Sequence, residues 1–406
     1  MKKGILLLLL LSISCTDMSL LPFIIRGLSS SPNVPTIAET DQEIFGIQTP
    51  NLTYSAYRMS GLCITNNKTV LATATAFYGQ NNSDGLPSDV LLLRSVDGMK
   101  TWQDSRVVGA HNGVIAKSRA YEGTLLVDRS NNRSYCLYTT IDEPDNLTAR
   151  LPVPAFGVYT YDIMLTFSDD DGLTWSTPTS LKSIVDAKHP DSIYLTLSGP
   201  GQGVQLTNGN LIFTCYVGRK HNDNAYRFDG MTIYSTNNGA TWQAGAINPI
   251  SATEANGFEL TENVLLVNTR NGSFREVYTT SNNGETYAPH ASDDLIPCVN
   301  VYGSTEKIPA NGGSRPNDYY LFSMPESSVN RENINIKASL NYVNWTTNLR
   351  VLEEPNSRGY SSLTYYNGML ACIYESSSEG TNNKLTIRAV NLSEEIQKYY
   401  DAAAAL

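Results

Sequence analysis

A chain of 406 residues with a formal charge of −10 and no run of Lys or Arg is poorly suited to hold nucleic acid. Charged residues are only 17% and hydrophobic ones 41%, with Gly, Asn, Ser, Thr and Tyr abundant, which disfavours long helical heptads and fits many short strands joined by turns. An acidic surface repels anions at long range, so an anionic ligand would need a locally positive pocket.

At the N-terminus, Met1-Lys2-Lys3 followed by the apolar Gly4 to Leu11 reads as an export signal. Ser12-Ile13-Ser14-Cys15 then resembles a lipoprotein cleavage site, in which Cys15 would be acylated; a plain secretory signal is the alternative. Residues 1–15 are therefore expected to be the signal, and the chain to be exported, either secreted or tethered to a cell surface or outer membrane. Residues 16–50 contain Ser and Pro with little periodicity and suit a tether. The body is expected over 51–393, and 394–406 as a tail or short helix (Glu-Glu-Ile-Gln-Lys, then four Ala). Cys63, Cys136, Cys215, Cys298 and Cys372 each sit in an apolar run without metal or redox spacing, which favours buried free thiols.

From Tyr54 onward the chain is built of strand-like runs ending in one recurring phrase. Ser168-Asp-Asp-Asp-Gly-Leu-Thr-Trp175 returns as Ser235-Thr-Asn-Asn-Gly-Ala-Thr-Trp242 and, more softly, as Thr280-Ser-Asn-Asn-Gly-Glu-Thr-Tyr287. An earlier copy, Ser95 to Trp102, has its glycine one place early, and Ser339 to Trp345 keeps only traces. The phrase reads as a hairpin turn in which Asp or Asn bonds the turn backbone and Gly takes positive φ. Self-similar hairpins at intervals of tens of residues point to small sheets stacked in a ring, because none can bury its faces alone.

These repeats, together with Tyr57-Arg58-Met59-Ser60 in the first hairpin, resemble the exo-sialidases (neuraminidases), whose turns are called Asp boxes. The resemblance covers roughly residues 54–392 and implies an all-β fold, a six-bladed β-propeller of four-stranded antiparallel sheets. It makes Arg58 the first of three arginines gripping a sugar carboxylate, although the family's usual Arg-Ile-Pro reads Arg-Met-Ser here. The polar loop after Ala76 carries Asp84, the implied catalytic acid, with Asp89 as the alternative; the arginine many relatives have just upstream is replaced by Tyr78 or Gln80. Gly199-Pro-Gly-Gln-Gly-Val-Gln-Leu206 matches a family segment read as packing near the centre. Glu254, Glu259-Leu260 and Arg270 keep the family spacing, which implies Glu254 as base partner and Arg270 as second carboxylate ligand. Arg331 is implied as the third, with Arg350 and Arg358 as nearby competitors; Tyr360 is implied as the nucleophile and Glu375 as the partner that orients Arg58.

Chemistry favours that set. A carboxylate nucleophile would meet the substrate's own carboxylate as like charge, and tyrosine-nucleophile sialidases are the known exception to the two-carboxylate glycosidases. Forming a phenolate at pH 7 costs about 4 kcal/mol from a reference pKa near 10, which a neighbouring Glu254 offsets by taking the proton during attack. No metal, nucleotide or organic cofactor is implied by the motifs, and the expected partners are sialylated glycans of glycoproteins, glycolipids and oligosaccharides, with no nucleic acid. Three rivals remain: a trans-sialidase, which differs in its acceptor site, a non-catalytic module that binds sialoglycans, and a propeller whose Asp boxes are purely structural.

Overall fold

The computed structural model describes residues 42–46, 54–78, 87–110, 118–142, 160–190, 193–223, 225–249, 253–326, 329–347, 349–353, 359–377 and 385–406. The export signal, Cys15, Gln80, Asp84 and Arg358 lie outside the described residues.

β1 (Gln42–Phe45) is the first of the described strands. Then come β2 (Tyr54–Ile64), β3 (Val70–Tyr78), β4 (Ser88–Ser95) and β5 (Gln103–Gly109), followed by β6 (Ser118–Asp128), β7 (Arg133–Asp142), β8 (Thr160–Ser168) and β9 (Thr179–Ser180). A third set is β10 (Ile193–Leu197), β11 (Val204–Gln205), β12 (Leu211–Lys220), β13 (Tyr226–Ser235) and β14 (Gln243–Ala244). A fourth is β15 (Ala255–Thr261), β16 (Val264–Asn271), β17 (Phe274–Thr280) and β18 (Ala288–Pro289), and a fifth is β19 (Ser304–Ile308), β20 (Tyr319–Pro325), β21 (Ile334–Ser339) and β22 (Arg350–Glu353). β23 (Ser361–Tyr366), β24 (Met369–Ser377) and β25 (Leu385–Asn391) end the series.

Pairing resolves these into six antiparallel sets, four strands deep, arranged like a propeller. The first two share one eight-stranded sheet because Ser88 of β4 bridges Arg119 of β6 in parallel. Inner strands touch in the order β2, β6, β11, β15, β19, β23 and back to β2, so the ring closes on itself. β3 is buried along nearly its whole length, being sandwiched between neighbouring blades, and this is why its sequence is a continuous apolar run rather than an alternating one.

The last set is completed from the other end of the chain. β1 runs antiparallel to β25, with Gln42 opposite Ala389 and Glu43 opposite Arg388. Residues 42–45 therefore belong to the body, which begins earlier than the 51 expected from sequence. Ile44 and Phe45 are fully buried with Tyr57, Leu62 and Ile387. At the C-terminus, a helix over Ile396–Ala404 buries Ile396, Tyr399, Tyr400 and Ala403, the one-face spacing of an amphipathic helix. Tyr319 Oη donates to the Ile396 carbonyl at 2.8 Å, so the segment docks. A short helix at Lys182–Lys188, not foreseen in the sequence, packs against β8 and β14. None of the described helices is long and apolar enough to cross a membrane.

Each recurring phrase is the turn between the third and fourth strands of its set. Asp170 Oδ1 accepts from Ser168 Oγ at 2.8 Å and from Thr174 N at 2.8 Å, while Gly172 N donates to Ser168 Oγ at 2.8 Å. The copies at Ser235 and Thr280 repeat this clasp with Asn237 and Asn282. In the copy whose glycine comes early, Gly98 and Met99 take φ of 76° and 72°, and Met99 N makes the bond Gly172 makes elsewhere. The sixth set has no such turn because its outer strand is β1.

The Gly199–Gly203 segment crosses toward the centre of the ring. Gly201 N donates to Ser60 O at 3.0 Å, Leu125 N donates to Gly201 O at 3.3 Å, and Gly203 N donates to Leu125 O at 2.8 Å. Gly201 has φ of 95°, and a Cβ there would run into the Tyr302 hydroxyl, so only glycine fits. The five described cysteines are buried free thiols; burial pushes Cys63 up to about 12.

Candidate active site

Two antiparallel hairpins set up the chemistry. Arg270, on β16, and Glu254, just before β15, are direct cross-strand neighbours: Arg270 N donates to Glu254 O at 2.9 Å. Their side chains meet in turn, with Arg270 Nη1 2.6 Å from Glu254 Oε2. The sixteen-residue spacing in the sequence is the length of this hairpin. In the last set, Glu375 on β24 lies opposite Tyr360, whose carbonyl accepts its N–H at 2.9 Å.

Tyr360 is the meeting point. Its ring is 4% exposed, its hydroxyl donates to Glu254 Oε1, and Arg270 Nη1 donates to the same hydroxyl at 3.1 Å. The Arg58 guanidinium carbon stands 5.4 Å from the Tyr360 ring centroid and that of Arg331 stands 6.0 Å away. Tyr302 stacks on the ring at 5.9 Å with an interplanar angle of 24°. Burial pushes the Tyr360 phenol well above its ordinary value, and Glu254 adds to this, while Arg270 and Arg58 pull it down. The resting group is thus a neutral phenol bonded to a carboxylate, with three guanidiniums around it.

Arg58 owes its direction to a break in β2. Register shifts between Arg58 and Gly61, and Met59 takes φ of 51°, so the strand bulges there. The Arg-Met-Ser departure from the family pattern falls on this bulge. Wholly buried Glu375 receives Met59 N at 3.1 Å through Oε1, which also lies 3.4 Å from Arg58 Nε. Arg331, between β20 and β21, donates through Nη2 to Asn300 O at 2.7 Å. Its sequence competitor Arg350 is elsewhere, paired with Glu395 under the C-terminal helix. Asp89 accepts from Tyr54 Oη at 2.5 Å and Tyr78 Oη at 2.6 Å, and is itself 3% exposed.

A cavity of about 210 Å³ opens beside Tyr360, Glu254 and Arg270. Met59, Leu197, Tyr216 and Phe228 give it an apolar wall, and Glu122 a polar one. Asp89 is not among its lining residues. Glu122 escaped the sequence reading because Tyr-Glu-Gly within a strand looks like an ordinary edge charge. It is 3% exposed, sits on a second bulge at φ 57°, and accepts from Tyr216 Oη at 2.9 Å and Gly199 N at 3.0 Å. Asn300 was missed too: its Oδ1 accepts from Arg270 Nε at 2.7 Å. A larger cavity, about 320 Å³, lies toward the other ends of the inner strands, lined by Arg129, Gln202, Glu306 and Tyr365. It contains none of the arginines or the tyrosine gathered above. Among the described residues no cluster of three or more His, Cys, Asp or Glu is placed to hold a metal ion.

The family described as BNR repeat-like domain matches residues 70–372. A sialidase of Bacteroides fragilis is 30% identical over 356 residues, covering 84% of this chain and 63% of that protein. A sialidase of Micromonospora viridifaciens is 26% identical over 326 residues, covering 79% of this chain and 50% of that one. The chain thus spans between half and two thirds of the length of these relatives. Among solved structures, the Hadza microbial sialidase Hz136 superposes with a TM-score of 0.73 at 26% identity, over 87% of this chain and 69% of the other. The Trypanosoma rangeli sialidase in complex with 2,3-difluorosialic acid, a covalent intermediate, shares the fold at 19% identity and a TM-score of 0.69, over 86% and 55% of the two chains.

Proposed function

The chain belongs to the BNR repeat-like domain family, and from that premise we propose that it is a retaining exo-α-sialidase releasing terminal sialic acids from glycoconjugates. The observation that carries this is the convergence on Tyr360: a phenol bonded to Glu254 and Arg270, with Arg58 and Arg331 beside its ring. That group has the charge and shape to hold a planar carboxylate against an electrophilic carbon.

The substrate carboxylate binds the guanidiniums of Arg58, Arg270 and Arg331. Tyr360 oxygen attacks the anomeric carbon as its proton passes to Glu254. The glycosidic carbon–oxygen bond breaks, and Asp84, outside the described residues, protonates the leaving oxygen. Asp84 then takes a proton from water, whose oxygen displaces Tyr360, and Glu254 returns the proton to the phenolate. Two inversions give net retention. Glu375 holds Arg58 in place throughout.

Proton magnetic resonance during cleavage of an aryl sialoside tests the reading: free sialic acid should appear first in the retained configuration. First appearance of the other anomer removes the tyrosyl intermediate, and no cleavage or binding removes the enzyme. Formation of sialyl-lactose at the expense of free acid, with lactose present, would mark a trans-sialidase instead. The N-terminal stretch supports export with a lipid on Cys15; lipid labelling lost in Cys15→Ser would establish it, and unchanged labelling would refute it.

A further inference from the structure

Two arginines that must share one ligand come from different blades. Arg270 lies near the end of β16, the second strand of the fourth, and Arg331 sits in the turn between two strands of the fifth. Neither blade by itself sets the angle between the two guanidiniums. The connector between them does touch both. Asn300 Oδ1 accepts from Arg270 Nε at 2.7 Å, and the Asn300 carbonyl accepts from Arg331 Nη2 at 2.7 Å. The same connector accepts buried Arg275 Nη1 on Val301 O at 2.8 Å and lays Tyr302 against Tyr360.

We propose that Asn300 is a positioning residue for carboxylate recognition, acting through Arg270; this rests on the sialidase reading. Arg270 is held from several directions: Nε by Asn300, and Nη1 by Glu254 and by the Tyr360 hydroxyl. Remove the amide acceptor and the guanidinium plane can rotate about the Nη1 contacts, which misplaces its fork for a planar ligand. A neutral acceptor suits the position. An aspartate would hold Arg270 equally well but would set a full negative charge where the substrate carboxylate must come, competing for the same donors. Because Arg331 is held by a main-chain oxygen, replacing the side chain leaves that contact intact, and the effect isolates Arg270.

The test compares wild type, Asn300→Ala and Asn300→Asp on an aryl sialoside, and measures inhibition by an unsaturated sialic acid and by its methyl ester. Asn300→Ala should raise KM about tenfold, the usual loss for one charge-assisted contact, with a smaller change in kcat and an unchanged unfolding midpoint. Inhibition by the acid should weaken while inhibition by the ester stays put. Asn300→Asp, the same shape and the second variant if the alanine form does not fold, should bind poorly at neutral pH and recover as the pH falls through the ordinary range of an aspartate. If wild type cleaves the sialoside but both variants keep its KM and its acid-to-ester inhibition ratio, Asn300 has no such role and the sialidase reading survives. If wild type neither cleaves nor binds sialosides, both fall together.

Discussion

Glu375 reaches from the last blade to Arg58 in the first, 3.4 Å from its Nε, and it is wholly buried while Arg58 is nearly so. The two residues stand at opposite ends of the described chain, so this pair joins the seam of the ring as well as aiming a guanidinium. Removing one partner of a buried pair leaves a charge uncompensated, which costs about 3–5 kcal/mol. Glu375→Ala is expected to lose stability on that scale in denaturant titration and to raise KM. Glu375→Gln keeps an acceptor for Met59 N and should lose less. Equal stability in both variants and wild type would remove the seam role.

Tyr360→Phe deletes only the hydroxyl that donates to Glu254. Turnover is expected to fall about a hundredfold or more, with circular dichroism unchanged because the ring still packs on Tyr302. Wild-type kcat in this variant would discard Tyr360 as nucleophile.

Asp84 should matter in proportion to how badly the leaving group needs a proton. Asp84→Ala is expected to retain much of its activity on an activated aryl sialoside and to lose about a hundredfold on sialyl-lactose. An equal loss on both substrates would argue for a role other than general acid.

Arg331→Lys keeps a positive charge but not the planar fork. KM for sialosides should rise about tenfold or more, since a charge-assisted contact contributes roughly 1.5–3 kcal/mol. An unchanged KM would place the carboxylate elsewhere.

Glu306 gives a pH dependence away from the reacting centre. It is 8% exposed and bonded to Gln202 Nε2 at 2.6 Å and Tyr365 N at 3.1 Å, and burial raises it from 4.5 to about 7. An acid whose folded value is raised favours the fold fully below about pH 4.5. That contribution declines as the unfolded chain ionises first, and is gone above about pH 7, a change of roughly 3 kcal/mol. Glu306→Gln should flatten the fall in unfolding midpoint between pH 5 and 7.5. A slope equal to that of wild type would assign the dependence to other groups.

The Asp-box turns were legible because their cause is local: a Ser or Thr, an Asp or Asn and a tight turn satisfy one another within eight residues. Arg58, Glu254, Arg270, Arg331, Tyr360 and Glu375 were singled out through the resemblance to the exo-sialidases, whose order along the chain they keep; nothing in their own local sequence distinguishes them from other strand residues. What escaped was whatever depends on a distant partner. Gln42–Phe45 is too short and too isolated to announce a strand whose partner is Leu385–Asn391. Glu122 and Asn300 carry no pattern of their own; each is defined by a bulge or connector that only the assembled ring places beside the cavity.

β1 leaves the ribosome long before its partner and cannot take its seat until β25 exists to pair with it. Until then an apolar sheet edge stays open to other chains, the kind of edge that seeds aggregation. Cleavage, labels or fusions that disturb residues 42–45 would therefore open the outer edge of the set that closes the ring, at residues that do not line the cavity beside Tyr360.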